Sequence, residues 1–533
     1  MTTAAADTST LASTEPGALP PSITPAALRR LADRVTTTPG AERVTTTAPY
    51  TGAPLADLPV STPSDVEEAF TRARSAQTSW AAMTIGERKR ILLRFHDLVL
   101  ARQHEALDLM QAESGKTRRD AFLEVSDIAI TARYYANNAA KLLAPRRRRG
   151  AIPLLTHTTE LHHPKGVVTV ISPWNYPLSM AAGDALPALM AGNAVVQKPD
   201  TQTSLTALWA LELMHEAGLP NGVWQMVIGR GSSIGGALMA GADYMMFTGS
   251  TDSGRRIARD AGERLIGASL ELGGKNAMLV LDDADISRTA DGAVAACFPS
   301  AGQLCVSIER LYVPEALLDT FVAAFAERTR KLRLGAAYDY SCDVGCLTTT
   351  AQLETVTAHV EDAVGKGATV LAGGRSRPDL GPLFFEPTVL TGVTPDMTLY
   401  NHETFGPVVT IYPYRDLDEA ITRVNATPYG LNASVWTRNG PRGRAVAARI
   451  RAGTVNVNDA FAAAWGSIDA PMGGMGDSGI GRHGAEGILK YTEPQTVAHQ
   501  RIQGFTPPAG IPHSLWAKVL TTMLKTLKRV GAR

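Results

Sequence analysis

Cysteine is scarce in this sequence, which has only Cys297, Cys305, Cys342 and Cys346 in 533 residues. A disulfide-stabilised secreted scaffold would need many more, so the expected location is a reducing cytoplasm. Cys342 and Cys346 are close enough to share a metal, but no second Cys or His pair follows at zinc-finger spacing. The sequence therefore predicts no metal site.

A large excess of one charge is missing, and so are long apolar runs. Lys plus Arg total 52 and Asp plus Glu total 51, giving a formal net charge of +1. This balance disfavours nucleic-acid binding through bulk positive charge. No uninterrupted apolar stretch reaches the roughly 18 residues that a membrane span needs. The composition is typical of a soluble globular protein.

The two ends of the chain differ from its body. Residues 1–27 are rich in Thr, Ala and Pro without the basic start and apolar core of a secretory signal, and they are predicted to form a disordered leader. Residues 511–533 are predicted to form a basic amphipathic helix. This helix either packs on the protein, over a substrate entrance or a partner subunit, or lies on an anionic membrane surface.

The body of the chain is predicted to be α/β. Helical periodicity dominates residues 65–144, and short apolar strands alternate with helices from Gly166 to Arg264 and again over residues 301–475. Such alternation favours a doubly wound parallel sheet, which binds ligands, typically nucleotides, at the carboxyl ends of its strands. The four arginines of residues 146–149 precede an extended segment and indicate a strand edge or subunit contact rather than a ligand site.

Three local patterns could carry chemistry, and each has a plainer alternative. The segment Gly229–Gly235 departs by one residue from the dinucleotide fingerprint and is either a phosphate-binding turn or an ordinary glycine turn. Cys305 is either a nucleophile or a buried inert thiol. Glu271 alone would be a surface acid, but the glycine pair after it allows another backbone or a ligand to approach closely.

Several motifs in fixed order identify a family resemblance. The motifs are Pro173-Trp-Asn-Tyr-Pro177, Phe247-Thr-Gly-Ser250, Leu270-Glu-Leu-Gly-Gly-Lys275, Gly302-Gln-Leu-Cys305 and Glu403-Thr-Phe-Gly-Pro407. Through them the chain resembles the aldehyde dehydrogenase superfamily over about residues 49–501, most closely its branch of NADP-dependent succinate-semialdehyde dehydrogenases. The joint occurrence of these motifs is far more specific than any one of them.

The resemblance implies an aldehyde dehydrogenase-like fold. It consists of a Rossmann-type cofactor domain, an α/β catalytic domain and a small β oligomerisation extension that pairs subunits into homodimers or homotetramers. The expected ranges are 28–145 and 166–300 for the cofactor domain, 301–475 for the catalytic domain, and 146–165 with 488–501 for the extension.

The resemblance also implies a catalytic set. The thiolate of Cys305 attacks the aldehyde, the Asn175 amide and the Cys305 backbone N–H hold the oxyanion, and Glu271 activates the water that hydrolyses the thioester. Glu271 disfavours acyl transfer to coenzyme A, because that branch characteristically lacks it. A catalytically idle, nucleotide-binding relative is the alternative, and the joint presence of these three residues argues against it.

NADP is the expected cofactor, with NAD as the alternative. The residues that the resemblance assigns to the cofactor are Ser172, Trp174, Lys198, Thr201, Gly231, Gly249, Ser250, Leu272, Glu403 and Phe405. Many NAD-preferring relatives have glutamate where this chain has Thr201, and a carboxylate there would repel a 2′-phosphate. Asp200 lies beside it and leaves the preference open to test.

Two substrate classes remain open. Succinate semialdehyde is the first expectation, and its carboxylate needs a cation. Arg310 is a candidate, although a structural role is also expected for it. Alternatively, Tyr176, Phe461 and Trp465 line an apolar tunnel for medium-chain or aromatic aldehydes. The segment Gly481–Gly484 is one residue shorter than in many relatives, and no catalytic role is predicted there.

Overall fold

The computed structural model describes residues 18–151, 155–501 and 504–531. Its helices are α1 (Pro25–Ala32), α2 (Pro63–Ala82), α3 (Ile85–Ala101), α4 (Gln103–Ser114), α5 (Arg118–Leu142), α6 (Pro177–Met190), α7 (Ser204–Ala217), α8 (Gly231–Gly241), α9 (Thr251–Glu263), α10 (Ile286–Cys297), α11 (Leu318–Arg330), α12 (Thr350–Gly365), α13 (Thr398–Asn401), α14 (Leu417–Asn425), α15 (Gly440–Ala447), α16 (Ala462–Trp465), α17 (Glu486–Leu489) and α18 (His513–Arg529).

The strands follow in the same numbering. They are β1 (Arg43–Thr47), β2 (Pro54–Pro59), β3 (Arg146–Arg148), β4 (Thr156–Pro164), β5 (Val167–Ser172), β6 (Ala194–Pro199), β7 (Trp224–Met226), β8 (Tyr244–Thr248), β9 (Gly267–Glu271), β10 (Asn276–Val280), β11 (Ile308–Pro314), β12 (Thr369–Ala372), β13 (Thr388–Thr391), β14 (Val408–Tyr414), β15 (Asn432–Trp436), β16 (Thr454–Val457), β17 (Gly479–Ile480) and β18 (Thr492–Gln500). β1 and β2 form an antiparallel pair.

The first large sheet is doubly wound. Its order is β17-β9-β8-β5-β6-β7, with β5 to β9 parallel and β17 antiparallel to β9. The strand order reverses between β5 and β8, which creates a crevice at the carboxyl edge where open α/β sheets bind ligands. Helices α2 and α8 cover one face, and α6 and α7 cover the other. The apolar run of β5 is mostly buried because it lies between these two layers.

The second large sheet has the order β12-β13-β14-β11-β10-β15-β16 and is parallel except for the β12–β13 pair. Its strand β10 lies within the range expected for the cofactor domain, but it pairs with β11 and β15 on its two edges. The chain therefore changes sheets between Glu271 and Asn276 rather than near residue 300. The turn between these residues joins the two sheets.

Helix α4 lies within the range predicted to be helical but has no amphipathic pattern of its own. Its residues 106–114 are all buried, including Asp108, Gln111 and Glu113, so no polar face alternates with an apolar one. Periodicity detects half-buried helices and misses a helix that is enclosed on all sides.

The predicted leader is ordered where the structure describes it. Residues 1–17 lie outside the described part, but Ile23 is buried and Thr24 caps α1, accepting a hydrogen bond from the Ala27 N–H at 3.1 Å. Two residues at the end of α1, Leu31 and Ala32, are also buried. The expectation of disorder up to residue 27 is therefore wrong for residues 18–27, because apolar residues there pack into the core.

A small antiparallel sheet and a terminal helix expose most of their surface. The sheet has the order β18-β4-β3, and the arginine run forms its edge strand β3, as predicted. No residue of α18 is buried. Within the described ranges, no helix is long and apolar enough to cross a membrane.

Candidate active site

A cavity of about 350 Å³ lies at the crevice of the first sheet, facing the second. It brings together most of the residues that the sequence analysis assigned to chemistry. Those lining it are Trp174, Asn175, Tyr176, Gly249, Ser250, Glu271, Leu272, Cys305, Glu403, Phe405 and Trp465.

The loop before Cys305 has an unusual backbone. Ser300, Ala301 and Gly302 have φ values of 49°, 54° and 72°, all in the left-handed region. A Cβ at Gly302 would lie 2.1 Å from the carbonyl oxygen of Gly406. Glycine is required at this position because a neighbouring backbone occupies the space of a side chain.

Side-chain amides fix this loop. Gln303 donates from Nε2 to the Ser300 carbonyl at 2.9 Å, and its Oε1 accepts from the Thr348 N–H at 3.0 Å. Asn276 donates from Nδ2 to the Cys305 carbonyl at 2.7 Å. These bonds restrain both sides of the thiol and give Gln303 of the Gly302–Cys305 motif a structural role.

The Cys305 thiol lies in a setting that favours its neutral form. Burial, followed by the charges of Glu271 and Glu403, raises the pKa of Cys305 to about 12. The thiol is therefore protonated near neutral pH, and attack by its sulfur requires a base.

Asn175 is held at both its amide and its backbone. Its Nδ2 donates to the Gln303 carbonyl at 2.9 Å, which turns the nitrogen of the amide toward the Cys305 loop. Its own carbonyl accepts from Lys116 Nζ at 2.7 Å. Lys116 forms a buried ion pair with Glu124, which also accepts two backbone N–H bonds from the first turn of α6. The pair is fully partnered, as a buried charge requires.

The turn after Glu271 lets three segments converge. A Cβ on Gly273 would lie 2.4 Å from Glu403 Oε2, and one on Gly274 would lie 3.0 Å from the Cys305 carbonyl. The absence of side chains in this turn therefore allows the loops that carry Cys305 and Glu403 to approach Glu271. This is the close approach that the glycine pair predicts.

A second buried pair positions the loop at Glu403. Lys275 pairs with Glu309, and Glu309 accepts the N–H groups of Thr404 and Phe405, each at 3.0 Å. Glu403 accepts the Gly274 N–H at 2.9 Å. Burial and the charge of Glu309 raise the pKa of Glu403 to about 8.

The remaining predicted cofactor residues follow the same sheet edge outside the cavity lining. Ser172 ends β5 and is in register with Pro199 of β6, directly after Lys198. Thr201 follows two residues later, and Gly231 begins α8. Helix α9 begins at the same edge, where the Ser250 side chain caps it. The N-termini of α8 and α9 therefore both lie at the carboxyl edge of the sheet. Backbone N–H groups at such positions suit phosphate oxygens.

The predicted substrate residues separate into two groups. Tyr176 and Trp465 line the cavity, and Phe461 packs against Trp465 with ring centroids 6.0 Å apart. Arg310 does not line it. Its guanidinium donates to the backbone carbonyls of Lys275, Arg423 and Val424, so its role is structural, and the expectation that it binds a substrate carboxylate is not supported.

Sequence reasoning missed several residues of the site. Lys116 lies far along the chain from Asn175, whose carbonyl it contacts, and Asn276 lies just outside a chemical motif. His483 Nε2 lies 3.4 Å from Glu271 Oε1, in a segment for which no role was predicted. Only Asn276 carried a signal, as the residue directly after the glycine-containing motif at Leu270–Lys275.

Comparison with known proteins adds independent findings. The family model described as "Aldehyde dehydrogenase family" matches residues 36–497. A protein of Mycobacterium ulcerans, provisionally named succinate-semialdehyde dehydrogenase NADP(+) 2, is 52% identical over 485 residues, covering 91% of this chain and 94% of the relative. The mitochondrial succinate-semialdehyde dehydrogenase of Oryza sativa subsp. japonica is 36% identical over 456 residues, covering 84% of each chain.

A solved structure gives the same result for the fold. Betaine aldehyde dehydrogenase of Staphylococcus aureus, in complex with NAD+, superimposes with a TM-score of 0.83 at 31% sequence identity. The match covers 89% of this chain and 97% of that one.

We expect Gly302→Ala to lower the free energy of unfolding by about 2 kcal/mol or more, since the new Cβ meets a backbone oxygen in a left-handed conformation. Denaturant titration measures this loss. Gly262→Ala is the matched control, because a Cβ there meets nothing within 4 Å. Equal stability of the two variants would contradict the role given to Gly302.

Proposed function

The chain belongs to the aldehyde dehydrogenase family, and from this premise we propose that it oxidises an aldehyde to the carboxylic acid through a covalent intermediate on Cys305. The observation that carries the proposal is the convergence of Cys305, Asn175 and Glu271 on one cavity at the switch point of a doubly wound sheet.

Cys305 supplies the nucleophile. Its sulfur attacks the aldehyde carbon while the thiol proton passes to a base. Glu271 and Glu403 are the carboxyl groups whose charges act on the thiol, and Glu403, with its pKa raised to about 8, serves as that base where the pH is high enough to ionise it. The carbonyl oxygen gains negative charge in this step. One N–H of the Asn175 amide is already held by Gln303, so the second N–H and the Cys305 backbone N–H are the donors for that oxygen.

Glu271 serves the second half of the reaction. A carboxylate at the cavity wall removes a proton from water, whose oxygen attacks the thioester carbon. The carbon–sulfur bond then breaks, the acid leaves, and Cys305 regains a proton.

The carboxyl edge of the first sheet fits a nicotinamide dinucleotide. Helices α8 and α9 begin there, the space beside Gly231 is open, and the rings of Trp174 and Phe405 stand edge to face 5.5 Å apart. When bound, the cofactor supplies a hydride acceptor that converts the thiohemiacetal to a thioester.

NADP is the proposed cofactor and NAD the alternative. Thr201 carries no charge to repel a 2′-phosphate, and the nearby Asp200 carboxylate is engaged by the Gln202 N–H at 2.9 Å. Lys198 at the end of β6 adds a cation, although burial lowers its pKa against the opposing effect of Asp200. The name of the Mycobacterium ulcerans relative also specifies NADP(+).

We expect Thr201→Glu to lower kcat/KM for NADP at least tenfold relative to that for NAD, because the new carboxylate repels the 2′-phosphate. Steady-state rates with each cofactor measure the ratio. Thr201→Gln introduces a side chain of the same shape as Glu without its charge. It should leave the ratio of kcat/KM for NADP to that for NAD within about threefold of the wild type. An unchanged ratio in the Glu variant would exclude Thr201 from cofactor selection.

Succinate semialdehyde is the first proposed substrate, because relatives at 52% and 36% identity carry that name. The cavity favours a second candidate, an uncharged medium-chain or aromatic aldehyde. Its lining among the described residues contains no Lys or Arg, whereas four acidic side chains line it: Asp127, Asp184, Glu271 and Glu403. Tyr176, Trp465 and Met472 provide the apolar surface.

Initial rates with succinate semialdehyde, hexanal and benzaldehyde separate these candidates, with Cys305→Ala as the blank. If succinate semialdehyde has the highest kcat/KM, the names of the relatives extend to this chain. If kcat/KM is about tenfold higher for hexanal or benzaldehyde, a difference of roughly 1.4 kcal/mol, succinate semialdehyde is rejected as the substrate in favour of the apolar class. If the wild type and Cys305→Ala give the same rate, the measured rate does not depend on Cys305, which would reject the covalent mechanism and support an idle relative.

We also propose a cytoplasmic homodimer or homotetramer. Strand β18 is exposed over residues 493–500 on both of its faces, and a strand that one subunit leaves uncovered on both faces is suited to a partner subunit. The cysteines are all free thiols, consistent with a reducing compartment.

Helix α18 is proposed to lie on an anionic membrane surface. Its apolar side chains Leu515, Val519 and Leu524 are about half exposed. Residues 502–533 contain no Asp or Glu, and Lys518, Lys525, Lys528 and Arg529 lie on the helix. Two such helices would repel each other, whereas anionic lipid would complement both the apolar and the basic face.

We expect the full chain to sediment with vesicles containing phosphatidylserine and a chain ending at Gly510 to remain in the supernatant. Vesicles of neutral lipid should bind the full chain much less. Unchanged binding after truncation, or no binding of the full chain, would reject the membrane contact in favour of packing against another subunit.

A further inference from the structure

The loop between β17 and α17 brings a histidine to the general base. Strand β17 pairs with β9 so that Gly479 lies opposite Glu271, and the chain then turns through residues 481–484. His483 Nε2 lies 3.4 Å from Glu271 Oε1, within ion-pair distance. His483 also lines the same cavity as Cys305.

The loop that carries His483 is rigidly held. The backbone N–H of His483 donates to the Met472 carbonyl at 2.7 Å. Gly481 and Gly484 have φ values of 98° and 68°, and a Cβ at Gly484 would lie 2.2 Å from the Ala470 carbonyl. The imidazole is therefore presented to Glu271 from a fixed backbone.

The carboxylate of Asp184 faces the other side of the His483 ring. His483 Nδ1 lies 3.8 Å from Asp184 Oδ1, and Asp184 is buried on α6. The same oxygen accepts from Lys490 Nζ at 3.1 Å and from the Tyr491 hydroxyl at 3.0 Å. One ring nitrogen thus faces a fixed carboxylate in the core, and the other faces the carboxylate beside Cys305.

The charges around His483 come from four elements. Burial and Lys490, which follows α17, lower the pKa of His483, whereas Asp184 on α6 and Glu271 on β9 raise it. Asp127 on α5 also interacts with it, and Tyr135 of the same helix and Tyr491 are the neighbouring hydroxyls. The net pKa is above its ordinary value, so both ring nitrogens carry protons over a wider pH range.

We propose that His483 is a positioning residue for hydrolysis: its Nε2–H holds the Glu271 carboxylate toward the thioester, while the charge of the Asp184 carboxylate faces its Nδ1. This inference rests on the proposed function, in which Glu271 activates water. A freely rotating glutamate would spend part of its time away from the attacking water, and a fixed charge-assisted bond removes that loss.

Two substitutions separate positioning from support of the loop. His483→Gln retains an N–H donor near the Nε2 position, whereas His483→Asn retains one near the Nδ1 position. Both preserve the backbone and an amide N–H, and Asn is shorter than Gln by one methylene. Denaturant titration of both variants measures the packing cost of that methylene separately from kcat. We expect kcat of the Gln variant to stay within about threefold of the wild type and kcat of the Asn variant to fall tenfold or more.

Pre-steady-state kinetics identifies the affected step. In the Asn variant, a burst of reduced cofactor close to one equivalent per active site should precede slow turnover, because acylation proceeds and hydrolysis is impaired. The wild-type kcat should also fall on the alkaline side, because the neutral ring keeps a single proton that is divided between Nε2 beside Glu271 and Nδ1 beside Asp184. The Gln variant, whose N–H donor does not titrate, should lack this decline.

Equal kcat values for the Gln and Asn variants, or an Asn variant without a burst, would overturn the role of His483. Failure of the proposed function would look different. In that case the wild type would not oxidise aldehydes, or Glu271→Gln would hydrolyse the thioester at the wild-type rate.

Discussion

The site depends on close backbone contact where the two large sheets meet. The turn at residues 272–275 leaves the first sheet and enters the second, and its glycines have no side chains to separate the segments around it. The loops carrying Cys305 and Glu403 both approach this turn, and Gly302 allows the first of them to lie against Gly406. The nucleophile, the general base and the edge of the cofactor crevice share one cavity because these backbones can touch.

Buried ion pairs hold the converging loops in place. Lys116 with Glu124 fixes the carbonyl of Asn175, and Lys275 with Glu309 fixes the backbone before Phe405. Burying these charges is costly, and removing one partner of such a pair typically destabilises a protein by about 3–5 kcal/mol. Their hydrogen bonds to backbone groups of the site indicate that they fix loop geometry rather than add net stability.

Sequence patterns predicted local elements and chemical motifs better than tertiary contacts. The apolar runs of β5 and β6 indicated a doubly wound sheet, and the ordered motifs pointed to Cys305, Glu271 and Asn175, which the structure brings to one cavity. Both kinds of signal depend on neighbours along the chain. The boundary near residue 300 was misplaced because strand pairing, not periodicity, assigns β10 to a sheet. The contacts of Arg310 with backbone carbonyls and of His483 with Glu271 were not predicted, because these partners lie far away in sequence.

The covalent role of Cys305 is tested most directly by trapping the acyl-enzyme. Glu271→Gln removes the base for hydrolysis but leaves Glu403 to accept the thiol proton, so the reaction should stop after hydride transfer. Acid quenching with aldehyde and NADP present, followed by peptide mass spectrometry, should then find the acyl group on the peptide containing Cys305. Parallel quenching without cofactor should leave this peptide unmodified. An unmodified Cys305 after reduced cofactor has formed, or an acyl group on Cys297, Cys342 or Cys346 instead, would contradict the mechanism.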